Sequence, residues 1–339
     1  MALLWIDGFE GYGLSGSVPV GMTYRYPTVI QNAYMSMTQG RITGYGVVTP
    51  YNGYTYAGGA TTPVLTTDPT IIAGIAVSCP AISVGTYEAL NLYDNTTLGV
   101  GVTLGNTGLT VKSGATVLGT YLFTVLTNVW YYIEMKVFCH TTSGTVEVRL
   151  NGVTVISLSG VYTKQGPDAY HNKVTFVGFQ AAVDDLYICD GSGDTLNDFQ
   201  GACRVLGLFP NGDTATEQWT PSTGTTHYSL VDENPPSTGD YVSSSTQTQT
   251  DLYAYPGLVG TAGTILGLQI NTSVLISSGS SMILEAPIVS GGATDLGPDT
   301  LVTSATYTDV RHISTTDPST GLPWTSANLA AAQIGIRVM

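Results

Sequence analysis

Charge is what this sequence lacks most. Charged residues make up 10% of the chain, against about 25% in an ordinary globular protein. The 10 Lys and Arg face 24 Asp and Glu, for a net charge of −14. So few cations, gathered into no stripe, exclude nucleic-acid backbone recognition, which needs a basic surface to release counterions. No apolar run approaches the length of a membrane span. The opening "MALLWIDGFE" has no basic leader region and its apolar stretch stops at Asp7, so it reads as a first strand and not as a signal peptide. Cys79, Cys139, Cys189 and Cys203 stand far apart with no C-x-x-C. They read as buried free thiols made in a reducing cytosol, and no second ligand pair gives zinc-like spacing. Helix signals are nearly missing too. The one plausible helical turn is Ser326 to Ala331, just before a closing strand at Ile334 to Val338.

In place of charge the chain has Gly, Thr, Ser and 21 tyrosines. Low charge with high β-propensity argues for many short strands and against disorder. The clearest are in "NVWYYIEMKVFCHTTSGTVEVRLNGVTVISLSG". From Tyr131 the odd positions Tyr131, Ile133, Met135, Val137 and Cys139 are apolar, while Glu134 and Lys136 alternate with them. The next run inverts the parity, with Val146, Val148 and Leu150 apolar and Glu147, Arg149 and Asn151 polar. A turn at His140 to Ser143 sets Lys136 opposite Glu147 and Glu134 opposite Arg149, and stacks Met135 on Val148 and Val137 on Val146. Both faces agree on one register. Asn151-Gly152 then supplies the two positive φ angles of a type I′ hairpin. Further strands are expected at Ile71 to Ser78, Tyr87 to Tyr93, Val100 to Leu104, Thr116 to Phe123, Val174 to Phe179 and Leu186 to Cys189.

The Gly- and Asp-rich "CDGSGDTLNDFQGACRV" marks a domain boundary near residue 200, with a fresh strand expected around Cys203 to Leu208. The expectation is therefore an all-β chain of two tandem antiparallel sandwiches, covering residues 1–200 and 201–339. No fixed-period repeat points to a solenoid. Residues 40–70 differ from the rest: Tyr45, Tyr51, Tyr54 and Tyr56 lie among glycines without alternation. They read as a contact surface, because tyrosine suits both protein interfaces and sugar-stacking platforms.

Several segments in order, "ALLWIDGFEGYG", "WYYIEMKV…GTVEVRLNGVTV", "VDDLYICDGSGDTLNDFQGACRV", "QWTPSTGTTHYSLVDE" and "DYVSSSTQTQTDLYAY", resemble phage virion proteins that begin with a concanavalin A-like (laminin-G-like) jelly roll. The resemblance covers nearly the whole chain. It implies a virion structural protein, tail-associated or capsid-decorating, made in the host cytoplasm. Its partners would be copies of itself, as in a trimer, and other virion proteins. A jelly roll would also bring "WIDGFE" beside "VDDLYIC". Leu186 and Ile188 would then carry Asp184 onto the core side, to accept N–H bonds from the Asp7-Gly8 turn; a calcium site there is the alternative.

Chemistry is sparse by the same reading. A sandwich glycosidase needs two carboxylates flanking the scissile bond, roughly 5 Å apart if retaining. Glu134 and Glu147 stand alone on their strands and are better matched to Lys136 and Arg149. Asp190, Asp194 and Asp198 of "DGSGDTLND" lack the glycine and terminal glutamate of an EF-hand. His140, His171, His227 and His312 show no triad spacing. The expectation is a non-enzymatic particle protein with no cofactor. The competing reading is a receptor-binding adhesin whose sandwich or tyrosine loop holds host glycan.

Overall fold

The structure, a computed structural model, describes residues 2–14, 16–30, 35–42, 44–48, 58–79, 86–178, 181–258 and 263–339. The chain forms two compact units, Met1–Gly207 and Leu208–Met339. Tyr51, Tyr54 and Tyr56 lie outside the described residues.

The first unit is built from fifteen described strands. In chain order they are β1 (Leu3–Asp7), β2 (Thr28–Ile30), β3 (Ser36–Gln39), β4 (Tyr45–Val48), β5 (Gly58–Thr61), β6 (Thr70–Ser78), β7 (Thr86–Asp94) and β8 (Thr97–Gly105). They continue as β9 (Gly108–Ser113), β10 (Thr116–Leu122), β11 (Trp130–Phe138), β12 (Gly144–Leu150), β13 (Val153–Val161), β14 (Lys173–Gly178) and β15 (Ala182–Asp190). One antiparallel sheet runs β13-β12-β11-β6-β15-β4-β3, with β1 also on β15; the other runs β10-β9-β8-β7-β14-β5-β2. This is the expected concanavalin-like jelly roll. Its first and last strands pair, Trp5 with Ile188 and Asp7 with Leu186.

Period-two patterning closes the core. Ile71, Ala73, Ile75 and Val77 of β6, Ile133, Met135 and Val137 of β11, and Val146 and Val148 of β12 face Leu90, Leu92, Val102, Val111 and Phe176 of the other sheet within one buried cluster. Each such fully buried aliphatic contributes about 1.5–3 kcal/mol. The β11–β12 register matches the sequence reading pair for pair, from Ile133 with Leu150 to Phe138 with Thr145. Asn151 and Gly152 turn with φ of 51° and 82°.

Two expectations fail. Cys203 to Leu208 forms no strand. Its backbone donors turn elsewhere than to a ladder: Val205 N–H bonds Asp185 Oδ1 at 2.8 Å and Cys203 N–H bonds the Gly201 carbonyl at 2.7 Å. Asp184 does not share a face with Leu186 and Ile188. A β-bulge with Asp185 at φ 52° shifts the register between Asp184 and Tyr187, placing one extra residue there and reversing the parity. Val183, Leu186 and Ile188 enter the core. Asp184 and Tyr187 pair with Ala76 and Gly74, on the side of the sheet away from the core.

The second unit has its own core, including Leu284, Ile288, Val310, Trp324, Ile334 and Ile336. Its main antiparallel sheet orders Gly212–Glu217, Thr250–Ala254, Gln333–Val338, Met282–Glu285 and Thr300–Val302. The helix Ser326–Ala331 forms as expected, capped by the Thr325 side chain, which accepts from Asn328 N–H. No helix among the described residues is long and apolar enough to cross a membrane.

Candidate functional site

The alternation that fills the core puts the opposite set of residues on the outer face of the first sheet. On β11, β12 and β13 these residues form three cross-strand rows. Phe138 faces Thr145, which faces Ser159; Lys136 faces Glu147, which faces Ser157; Glu134 faces Arg149, which faces Thr154. Thr145, Thr154, Ser157 and Ser159 are exposed, and Phe138, Lys136, Glu147 and Arg149 are half-buried. The Phe138 ring stacks on His140, centroids 6.0 Å apart.

The facing charges do not pair as the register suggested. Lys136 Nζ reaches Asp198 Oδ1 at 3.1 Å, while Arg149 Nε turns to Glu147 Oε1 of its own strand at 3.2 Å. Glu134 is fully buried and goes to neither cation. Its Oε1 accepts from Tyr187 Oη at 2.5 Å and from Gly201 N–H at 2.8 Å, and its Oε2 has no hydrogen-bond partner. Cross-strand opposition brings side chains near, but the shorter neutral donors win because they desolvate less than a second buried ion would.

Those donors arrive because residues 198–205 lie across the inner half of this face. Gln200 N–H bonds Tyr187 Oη at 3.1 Å. Cys203 Sγ lies 3.8 Å from Tyr132 Oη, and burial pushes the Cys203 thiol up to about 11. The Tyr132 and Tyr187 rings stack at 6.4 Å with 14° between planes, and the Arg41 guanidinium sits 4.8 Å over Tyr132. Gly74 makes room for this layer: a Cβ there would meet Tyr187 Cε1 at 2.2 Å.

Beyond the strap is an acidic knot. Arg41 Nε is 2.8 Å from Asp185 Oδ2, and Arg41 also donates to the Cys203 carbonyl. Asp184 accepts from the Arg41 and Asp185 N–H groups, at 2.6 and 2.8 Å, and not from the Asp7-Gly8 turn. Asp7 instead accepts from Phe9 N–H, Tyr12 Oη and Tyr26 Oη. Burial, aided by the Asp184 charge, pushes Glu10 up to about 9; burial, aided by Asp185, pushes Asp184 up to about 7. Among the described residues no group of three or more His, Cys, Asp or Glu is placed to hold a metal ion.

The residues singled out from sequence scatter. Tyr45 is half-buried and packs on its own unit's core. Asp190 accepts from Ser192 and Thr66, and Asp198 holds Lys136, so each has local work. In the second unit His227 Nδ1 lies 2.6 Å from buried Asp251 Oδ2, and His312 Nδ1 contacts the Ala286 carbonyl at 2.7 Å. Sequence reasoning missed Tyr187 and Phe199, and gave Arg149 only a cross-strand ion pair. The signal for Tyr187 was its neighbour pair Asp184-Asp185, where a bulge resets the parity.

No family model matches the chain, and no curated protein matches it. Solved structures share the sandwich at low identity. An endo-β-1,4-glucuronan lyase from the fungus Trichoderma reesei is 11% identical, with TM-score 0.38, covering 48% of this chain and 90% of the lyase. Alginate lyase Aly36B is 11% identical with TM-score 0.42, covering 56% and 97%. Domain 4 of the arabinanase AbnA from Geobacillus stearothermophilus, in complex with arabinotriose, is 18% identical with TM-score 0.36, covering 56% and 92%. These findings overturn the expectation of a non-enzymatic virion structural protein: by name the similar folds belong to carbohydrate-acting enzymes, not to particle-building or phage proteins. The likeness is one of fold, and the reading below rests on this chain's own residues.

Proposed function

We propose that the first unit recognises saccharide on the open face of β11, β12 and β13. The observation that carries this reading is the three-row grid. It lines up four exposed hydroxyls, two cations, a carboxylate and a half-exposed aromatic on one pleated surface, with Asp198 and Phe199 against the two cations. Sugar rings present hydroxyls that both donate and accept, and Ser and Thr hydroxyls, Glu147, Lys136 and Arg149 supply the complementary set. They also present C–H faces, for which the Phe138 ring offers an apolar platform. Hydrogen bonding spaces neighbouring strands about 4.8 Å apart, so neighbouring hydroxyls meet a ligand lying across the strands.

The test is titration of the whole chain with a panel of oligosaccharides, followed by calorimetry and by amide shifts in nuclear magnetic resonance. Binding should perturb Lys136, Thr145, Glu147, Arg149, Thr154 and Ser157 first. Ser157→Trp, a bulky side chain at an exposed strand position, should abolish binding without lowering the melting temperature. Binding that survives Ser157→Trp, or that perturbs only residues off these strands, would refute the placement.

A further inference from the structure

The same open face contains a cation prepared for one kind of sugar. The Arg149 guanidinium sits over the Phe199 ring, with Cζ 4.0 Å from the ring centroid. That contact holds the guanidinium at the surface, where the side chain is 31% exposed. Its one hydrogen bond uses Nε, to Glu147; among the described residues neither Nη1 nor Nη2 has a partner. A guanidinium packed on a ring with its two terminal nitrogens open is complementary to a planar carboxylate, which takes both N–H groups side by side.

Lys136 adds a second positive charge in the neighbouring row. Its partner Asp198 is 62% exposed, and the Arg149–Glu147 pair is about one-third exposed on both sides, so both are screened contacts that an incoming anion can exchange cheaply. Two cations and two carboxylates make this patch locally neutral on a chain of net charge −14, so an anion approaches here against less repulsion than elsewhere. The Ser157 hydroxyl faces Glu147 on the adjacent strand, and Thr154 Oγ1, which donates to Glu147 Oε1 at 2.7 Å, keeps its lone pairs for a ring hydroxyl of the same sugar.

From this geometry we infer that the face takes an acidic saccharide, a uronate-bearing chain whose carboxylate is received by the two open Nη groups of Arg149. The inference rests on the saccharide-recognition reading and deepens it. No bond is made or broken in this step.

The experiment compares oligomers of galacturonate, glucuronate and mannuronate with the same oligomers after carboxyl reduction, by calorimetry on the whole chain. At least one acidic oligomer should bind 10-fold or more tightly than its reduced counterpart. Arg149→Lys, which keeps the charge and loses the fork, should remove that preference. Glu147→Gln should strengthen acid binding, and added salt should weaken it. Equal binding of acidic and reduced forms would overturn the acid assignment and leave saccharide recognition standing. A preference that survives Arg149→Lys would overturn the role of Arg149. Binding of neither form would overturn both readings.

Discussion

Removing one oxygen tests the layer that covers Glu134. Tyr187→Phe deletes the hydroxyl that donates to Glu134 Oε1 at 2.5 Å and accepts from Gln200 N–H at 3.1 Å. A hydrogen bond to a buried carboxylate contributes about 1.5–3 kcal/mol, and an ordinary amide–hydroxyl bond about 0.5–1.5 kcal/mol. Glu134 would keep only the Gly201 N–H, with Oε2 already unpartnered, so solvent cannot replace what is lost without opening the strap. The expected loss is about 2–4 kcal/mol. For a domain of this size that lowers the melting temperature by about 4–16 °C. Urea denaturation read by calorimetry of both units isolates the first transition, and hydrogen exchange gives a local readout. The Gln200 and Gly201 amides should exchange faster, while β11 and β12 amides stay protected. Glu134→Gln, which keeps an acceptor at Oε1 and removes an unpaired charge, should cost less than half as much. A Tyr187→Phe loss below about 0.5 kcal/mol with unchanged exchange at Gln200 would show that the hydroxyl does not anchor the strap, and the reasoning would fail.

Three further outcomes follow from the same contacts. Gly74→Ala should destabilise by about 1–3 kcal/mol, because its Cβ meets a ring held at its far end by Glu134; in a Tyr187→Ala background that penalty should vanish, as a double-mutant cycle would measure. Burial depresses the His171 imidazole from 6.5 to about 4, so its contribution is intact above pH 6.5 and is lost as pH falls toward 4. Wild type should lose up to about 3 kcal/mol relative to His171→Leu over that window, measured by denaturation at pH 7 and pH 4. Glu10 has the opposite sign: its carboxyl is raised to about 9, so wild type should lose stability relative to Glu10→Gln as pH rises from about 4.5 to about 9, and equal pH profiles would refute the burial of Glu10.

What the sequence determined by itself is what depends on neighbours along the chain. Period two sorts Ile133, Met135 and Val137 from Glu134 and Lys136, and the inverted parity of the next run then allows one register, which the sheet adopts. Asn151-Gly152 and the Ser326–Ala331 helix were legible for the same reason, since a turn or a cap needs only a few adjacent residues. Tertiary structure decided the rest. Glu134 found Tyr187 53 positions away and Gly201 67 positions away, and no periodicity encodes a partner at such separations. One extra residue at Asp185 moved Asp184 onto the face of Tyr187, because side chains in a strand alternate and a single insertion flips all that precede it. Residues 203–208 kept the composition of a strand yet formed none: Asp185 took the Val205 N–H and Arg41 the Cys203 carbonyl, partners that only the tertiary structure supplies. Arg149 settled on Phe199 instead of on Glu134 because a half-exposed guanidinium keeps its hydration on a ring, whereas reaching the fully buried carboxylate would strip it away.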